Sequence, residues 1–152
     1  MDSTTELAAR LQRLEDVVAI TQLIASYGPL VDAGAADEVA EMWTEDGSYD
    51  VEGWLMADRE AIRSMVLSRP HQRFIATGSL HFMGTPHLTV DGDTAVAVCE
   101  SLLVLREGEG FTIARGGANR IELARTQDGW RFTRRIARTL DGAAEARALL
   151  RS

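Results

Sequence analysis

The sequence predicts an α+β fold in which helices and strands occupy separate parts of the chain. Three observations carry this prediction: apolar residues recur at three- and four-residue steps near the start, strand-like segments fill residues 79–139, and glycine-containing turns separate those segments. The 152 residues match about one domain of ordinary size. We therefore expect a single domain over residues 1–152, with a curved antiparallel sheet wrapped against three N-terminal helices.

A long amphipathic helix is predicted at the start of the chain. Ser3 and Glu6 have the spacing of a capping box, and aliphatic side chains recur on one helical face after them. The helix should run toward Tyr27. Gly28-Pro29 is then expected to kink or end it, because proline has no amide hydrogen and its ring clashes with the preceding turn.

Two shorter helices and one strand are predicted between the long helix and the sheet. Asp37 is suited to cap a helix that continues through Trp43, and a strand over residues 48–54 follows it. Asp58 is suited to begin a third helix. That helix should end before Pro70, since proline disfavours a helical conformation in the residue before it.

Residues 79–139 have the pattern of antiparallel strands in series. Glycine in each intervening segment allows the positive φ of a hairpin turn, and these segments are residues 91–93, 107–110 and 127–129. Two of the strands are long, so the sheet should curve, with a bulge at Gly116-Gly117. Asp141 is suited to cap a closing helix from Ala143 to Leu150.

Composition excludes several classes of function. The net charge of −7 gives no support for an extended nucleic-acid surface or for binding to anionic membranes. All 16 basic residues are arginine, so Schiff-base chemistry and a Walker-type phosphate lysine are excluded. Cys99 is the single cysteine and cannot form an intrachain disulfide. We expect a cytoplasmic protein.

Metal and covalent chemistry have no motif in the sequence. His71, His81 and His87 do not have the spacing of common metal sites, so no metal is expected. No G-x-S-x-G elbow is present, and no G-x-G-x-x-G segment joins a strand to a helix. We therefore expect a site that works without a cofactor.

Proton transfer is the chemistry that the remaining residues support. It needs a base, a group that holds the base in one tautomer, and a donor for the oxygen that gains charge. Asp32, His81 and Tyr27 are the candidates, because Asp32 lies in an apolar stretch where an unpaired carboxylate is costly and His81 lies among apolar neighbours. Each has a structural alternative: Asp32 as a turn residue, His81 as a buried structural histidine, and Tyr27 as a core side chain.

Aromatic and polar residues elsewhere are candidates for substrate binding. Trp43, Tyr49 and Trp54 supply aromatic area for the wall of a pocket, although each also suits a core position. Asn119, in a strand rich in aliphatic residues, is placed to present its amide to a ligand. Several arginines crowd the last strand; most should be solvated, and Arg138 is predicted to reach the pocket.

The order and spacing of five segments resemble the SnoaL-like branch of the nuclear transport factor 2-like superfamily. The first two segments are ITQLIASYGPLVDAGA and MWTEDGSYDVEGWL. The resemblance extends from about residue 11 to residue 142. Its segments are residues 20–35, 42–55, 81–98, 115–125 and 128–139.

This resemblance implies a cone-shaped fold and a cofactor-free lyase of the scytalone dehydratase and bile acid 7α-dehydratase type. It implies an Asp32–His81 dyad that removes a proton, with Tyr27 as a donor. Tyr49 is similar to a second pocket tyrosine and Arg138 to a late-strand arginine of these enzymes. A dehydrochlorinase of the same branch uses a lysine that this chain lacks, which favours hydroxyl over halide as the leaving group. The implied reaction eliminates water from a hydroxylated cyclic carbonyl compound.

The same resemblance leaves other functions open, because one fold hosts many functions. The alternatives are a steroid-type ketone isomerase, a polyketide cyclase and a noncatalytic small-molecule-binding domain. Relatives of this fold commonly form dimers or trimers, so a homo-oligomer is expected. The expected partner is a small apolar cyclic substrate, with no nucleic acid and no membrane.

Overall fold

The computed structural model describes residues 3–151 and confirms that helices and sheet are segregated. Helices precede most of the strands, and a short helix follows the last strand. The elements in chain order are α1 (Ser3–Asp32), α2 (Ala36–Glu41), β1 (Trp43–Val51), β2 (Trp54–Met56), α3 (Arg59–Leu67), α4 (Arg69–Thr77), β3 (Ser79–Met83), β4 (His87–Asp91), β5 (Thr94–Glu107), β6 (Gly110–Thr126), β7 (Gly129–Thr139) and α5 (Ala144–Leu149).

The strands form one curved, mixed sheet in the order β2-β1-β7-β6-β5-β3, with β4 also paired to β5. The α+β fold class is confirmed, but the prediction of a purely antiparallel sheet is wrong because β1 and β7 run parallel. Strands β2 to β6 and two helices lie between these two strands in the chain. No tight hairpin therefore forces them to be antiparallel.

The three predicted turns of the sheet are confirmed. They join β4 to β5, β5 to β6 and β6 to β7. Gly92 and Gly108 have φ of 57° and 58°, in the left-handed region that favours glycine. The bulge, however, is not at Gly116-Gly117. The β5–β6 register skips Ala114, which leaves that residue as the extra one.

Helix α1 continues past Gly28-Pro29 to Asp32, so of the two predicted effects of this pair, ending the helix is wrong. The Pro29 carbonyl accepts from the amide of Ala33 at 3.0 Å, which continues the helical pattern beyond the proline. Gly28 allows α1 to contact β3. A Cβ at this position would lie 2.0 Å from the carbonyl oxygen of His81.

Helix α2 differs from prediction at both ends, because it begins at Ala36 and ends at Glu41, before Trp43 begins β1. Asp58 caps α3 as expected, accepting from the amide of Ala61 at 2.8 Å. Asp37 is inside the first turn of α2 and pairs with Arg63 instead of capping the helix. Helix α3 ends at Leu67, before Pro70 as predicted. Pro70 lies in the first turn of the additional helix α4, where its missing amide hydrogen costs no helical bond.

A buried ion pair fixes α1 against the β6–β7 hairpin. Both carboxylate oxygens of Asp16 accept from Arg125, at 2.7 and 2.9 Å, and Trp130 donates its indole N–H at 3.1 Å. The hydrogen bonds from Arg125 hold the pKa of Asp16 at about 2, although burial opposes the shift. The half of α1 that follows Asp16 is thus held over the sheet.

Two groups of large apolar side chains remain exposed. A homo-oligomer remains a prediction, and these surfaces are where a second copy would bury area. No helix among residues 3–151 is both long and apolar enough to span a membrane. The two groups are Leu7, Leu11, Leu14 and Val18 on α1, and Leu80, Phe82, Leu102, Phe111 and Ile113 on the sheet.

Candidate active site

A cavity of about 210 Å³ lies between the helices and the concave face of the sheet. Most of its wall is apolar, with a few polar side chains, which is the usual character of a small-molecule site. A wider surface depression of about 550 Å³ between α2 and α3 is lined mainly by charged residues. The cavity is lined by Tyr27, Tyr49, Val51, Trp54, Met56, Met65, Ser68, Pro70, His71, Phe74, His81, Leu103 and Arg115.

The structure brings Asp32 and His81 together at this cavity. Asp32 is the last residue of α1, and His81 is in β3, where alternate side chains turn toward the helices. Asp32 Oδ1 lies 2.6 Å from His81 Nδ1, and Asp32 Oδ2 accepts from the backbone N–H of His81 at 2.8 Å. Ser79 also donates its hydroxyl to Oδ1, at 3.3 Å. Backbone and side-chain bonds together fix the carboxylate relative to the ring.

This hydrogen bonding determines which nitrogen of His81 is available. A carboxylate oxygen at 2.6 Å requires the proton of the neutral ring on Nδ1. Nε2 then keeps its lone pair, on a side chain that lines the cavity. The side chains of His81 and Asp32 are only 15% and 21% exposed, so water competes little for the pair. The arrangement suits a general base oriented by a carboxylate.

Tyr27 and Tyr49 form the adjoining wall, each with 3% of its surface exposed. The Tyr27 ring meets the Tyr49 ring and the His81 ring edge-on, with centroids 6.5 and 6.4 Å apart. Burial, with the neighbouring Tyr49, raises the pKa of Tyr27 well above its usual value. Tyr27 therefore keeps its proton at physiological pH and can act as a hydrogen-bond donor.

Two arginines other than the predicted Arg138 lie at the cavity: Arg115 is part of its wall, and Arg135 lines a recess beside it. Arg138 lies outside the cavity, in ion pairs with Asp50 and Glu145 at 2.8 Å. Arg135 is buried, with its guanidinium carbon 4.3 and 4.5 Å from the centroids of the two tyrosine rings. The β6–β7 register skips Thr133, and this bulge changes which residues of β7 turn inward. Strand alternation alone could not have identified Arg135.

Asn119 supports Arg135 instead of presenting its amide to a ligand as predicted. Its Oδ1 accepts from Arg135 Nε at 3.1 Å and from Nη2 at 2.8 Å. Its Nδ2 donates to Ser101 at 2.8 Å. Both ends of the amide are thus used within the protein. Arg135 Nη1 has no hydrogen-bond partner among residues 3–151, and the side chain lines a recess of about 20 Å³ beside the cavity.

The two tryptophans proposed for the wall have different positions. Trp54 lines the cavity and is 58% exposed, so it lies where the cavity opens to solvent. Trp43 does not line the cavity, and its predicted wall position is wrong. It is fully buried behind Tyr49, on which its ring stacks with centroids 5.7 Å apart, and it packs against Phe132. Trp43 supports the wall from the core.

Sequence reasoning missed His71 as a site residue. It lies in the first turn of α4, lines the cavity, and stacks on His81 with centroids 5.3 Å apart and planes 28° from parallel. Burial, with the neighbouring His81, lowers the pKa of His71, and Asp32 opposes this shift. Pro70 was the available signal, because a proline preceded by Ser68 and Arg69 also suits the start of a helix.

The lowered pKa of His71 predicts a pH-dependent stability. Below about pH 6.5 the unfolded chain binds a proton at residue 71 that the folded chain resists, so acid favours unfolding. His71→Phe removes this group and should lose less stability than the wild type as the pH falls from about 8 to 5. Thermal unfolding of both proteins across this range measures the difference. Parallel curves for the two proteins would contradict the prediction.

No group of three or more histidine, cysteine, aspartate or glutamate side chains within residues 3–151 is arranged to hold a metal ion. Cys99 is buried, and burial raises the pKa of its thiol, which makes it a poor nucleophile. Among the described residues, the candidate catalytic groups at the cavity are the Asp32–His81 pair, the two tyrosines, His71 and Arg115.

Comparisons with known proteins agree on the fold. Residues 12–136 match the model of the SnoaL-like domain. A crystal structure of a protein from Novosphingobium aromaticivorans, described as NTF2-like with a cystatin-like fold, is 45% identical. It superposes with a TM-score of 0.97, covering 100% of this chain and 99% of that chain. The chain has no significant match among curated proteins.

Two further structures from the same organism are more distant. A candidate aromatic ring hydroxylase is 25% identical, with a TM-score of 0.69 and coverage of 84% of this chain and 90% of that chain. A candidate scytalone dehydratase is 20% identical, with a TM-score of 0.69 and coverage of 84% and 85%. At 20% identity, the candidate scytalone dehydratase supports only the fold of this chain.

Proposed function

The chain belongs to the SnoaL-like family, which includes enzymes, and on that premise we propose that it is a cofactor-free lyase. The reaction we propose removes water from a cyclic ketone that carries a hydroxyl on the second carbon from the carbonyl. One observation carries the proposal: Asp32 Oδ1 lies 2.6 Å from His81 Nδ1 at the wall of an apolar cavity. Such a pair is a general base with its tautomer fixed.

His81 carries the proton in both halves of the proposed reaction. Nε2 takes a proton from the carbon next to the carbonyl, and the electron pair forms an enolate. Asp32 stabilises the imidazolium that results. The enolate then reforms the carbonyl and a carbon–carbon double bond as hydroxide leaves. His81 gives its proton to the hydroxide, so one water and one unsaturated ketone are produced and the neutral ring is restored.

In the proposed reaction the tyrosines stabilise the enolate oxygen, and Arg135 assists from behind their rings. Tyr27 remains protonated and donates a hydrogen bond, with Tyr49 beside it in the same wall. The Arg135 guanidinium lies over both rings and brings a positive charge without a carboxylate partner among the described residues. In a site with little water, such fixed donors and charges act strongly on developing negative charge.

The size of the cavity favours a substrate of one or two rings. Its volume of about 210 Å³ is below the roughly 300–1,000 Å³ of typical drug-sized ligand sites. A steroid-type ketone would need more enclosed space. Ketone isomerisation and cyclisation would use the same residues, so the products must separate these reactions from elimination.

Incubation with 3-hydroxy-1-tetralone tests the proposal, because this two-ring ketone has the required hydroxyl. We expect the purified protein to form the water-elimination product faster than buffer alone, as detected by mass spectrometry. A product of unchanged mass would indicate isomerisation instead. Binding without any chemical change would favour the noncatalytic alternative and would contradict the proposed lyase activity.

A further inference from the structure

His71 has a buried polar atom that the fold leaves without a partner. The residue is only 9% exposed, and its Nε2 has no hydrogen-bond partner in the part of the chain that the structure describes. One face of the ring stacks on His81, and Phe74 meets the ring with centroids 6.5 Å apart. The same side chain belongs to the cavity wall. The His71 side chain therefore lies at the cavity, and a ligand group reaches its covered Nε2 only if a neighbouring side chain moves.

Buried polar atoms in folded proteins are nearly always paired, and an exception calls for an explanation. A phenylalanine would fill this position without an unpaired nitrogen, since the ring already packs between aromatic neighbours. Packing alone thus gives no reason for a histidine. A ligand group in the cavity that bonds Nε2 would supply the missing partner.

The chemistry of the ring identifies this ligand group. Burial lowers the pKa of His71 and so favours the neutral ring, in which Nε2 either accepts or donates one hydrogen bond, according to the tautomer. A hydroxyl group can pair with Nε2 in either tautomer, because it both donates and accepts hydrogen bonds. An anionic group is a poorer match, because it can only accept a hydrogen bond and so pairs with one of the two tautomers.

We propose that His71 Nε2 binds a hydroxyl group of the substrate and so selects hydroxylated ketones over their deoxy analogues. The rings of His71 and His81 have centroids 5.3 Å apart, so a hydroxyl bound to His71 would lie near the carbon that His81 deprotonates. In an elimination the leaving hydroxyl has this position. The inference deepens the proposed function. The role of this hydroxyl as a leaving group rests on the proposed reaction, whereas selection for a hydroxyl is a property of binding alone.

Calorimetric titration in a His81→Gln background tests the inference without turnover. The probes are 3-hydroxy-1-tetralone and 1-tetralone, which differ by the hydroxyl. With His71 present, we expect the hydroxylated ketone to bind about tenfold tighter, the worth of one hydrogen bond. Adding His71→Phe should weaken binding of the hydroxylated ketone about tenfold and leave binding of 1-tetralone unchanged. His71→Gln, which keeps a polar group, should restore part of the preference.

Three results would overturn the inference. They are equal affinity for the two ketones with His71 present, a preference for the hydroxylated ketone that survives His71→Phe, and equal losses of affinity for both ketones on His71→Phe. Equal losses would indicate a packing role. Binding of neither ketone would reject both this inference and the proposed function. A His71-dependent preference without turnover by the wild-type protein would reject the proposed lyase alone.

Thermal unfolding of the His71→Phe protein is the matching control for folding. A purely structural histidine would lower the unfolding temperature when replaced. We expect the temperature near neutral pH to stay the same or rise, because the substitution removes an unpaired buried atom. A lower temperature would contradict this part of the inference.

Discussion

His81→Ala should reduce turnover of 3-hydroxy-1-tetralone by about 10²–10⁴-fold while the protein remains folded. The variant loses the nitrogen that receives the substrate proton, and no other group in the cavity is held by a carboxylate in the same way. Steady-state kinetics measures the loss. Circular dichroism and thermal unfolding establish that the variant is folded.

Two companion variants sharpen this result. Asp32→Asn keeps the shape of the side chain but cannot stabilise the imidazolium, so its loss should be of a similar order, about 10²–10⁴-fold. His87→Ala is the matched control, since His87 is exposed on β4 and is not part of the cavity wall. It should keep wild-type turnover. Near-wild-type activity of a folded His81→Ala protein would contradict the assignment of the base.

Gly28→Ala should destabilise the fold and disrupt the dyad together. The added Cβ would lie 2.0 Å from the His81 carbonyl oxygen, a separation that no side-chain rotation can relieve. Either α1 or β3 must move, and Asp32 and His81 are carried on these two elements. We expect a cost of at least about 3 kcal/mol, the upper part of the usual range for overpacking. Chemical denaturation measures the loss of stability.

Gly110→Ala is the matched control for this prediction. A Cβ at Gly110 would have no neighbour closer than 3.9 Å, which is an ordinary contact. This variant should retain both stability and activity. If Gly28→Ala were as stable and active as Gly110→Ala, the close contact between α1 and β3 would not be required for the site.

The fold class and the candidate dyad were predictable because local patterns indicate both. Glycine turns marked the hairpins of the sheet, and Asp32 lay in an apolar stretch where a carboxylate needs a partner. His81 lay in a strand with apolar neighbours. The structure brings the two together. Their catalytic role stays a prediction.

The remaining errors arise from packing between elements that are distant in the sequence. The bulge at Thr133 decides that Arg135 faces the tyrosines, and only the pairing with β6 reveals it. The parallel pairing of β1 with β7 likewise depends on contacts between strands that are far apart in the sequence. Pro70 suits the end of one helix and the start of the next, so α4 and its histidine were missed.

Exchange of the protons next to the carbonyl of 1-tetralone, followed by NMR in heavy water, tests the central claim most directly. This ketone has no leaving group, so exchange reports only whether the protein removes a proton from carbon. We predict that the wild-type protein accelerates exchange and that His81→Ala lowers the rate to that of buffer. Equal acceleration by both proteins, or none by the wild type, would contradict a base formed by Asp32 and His81.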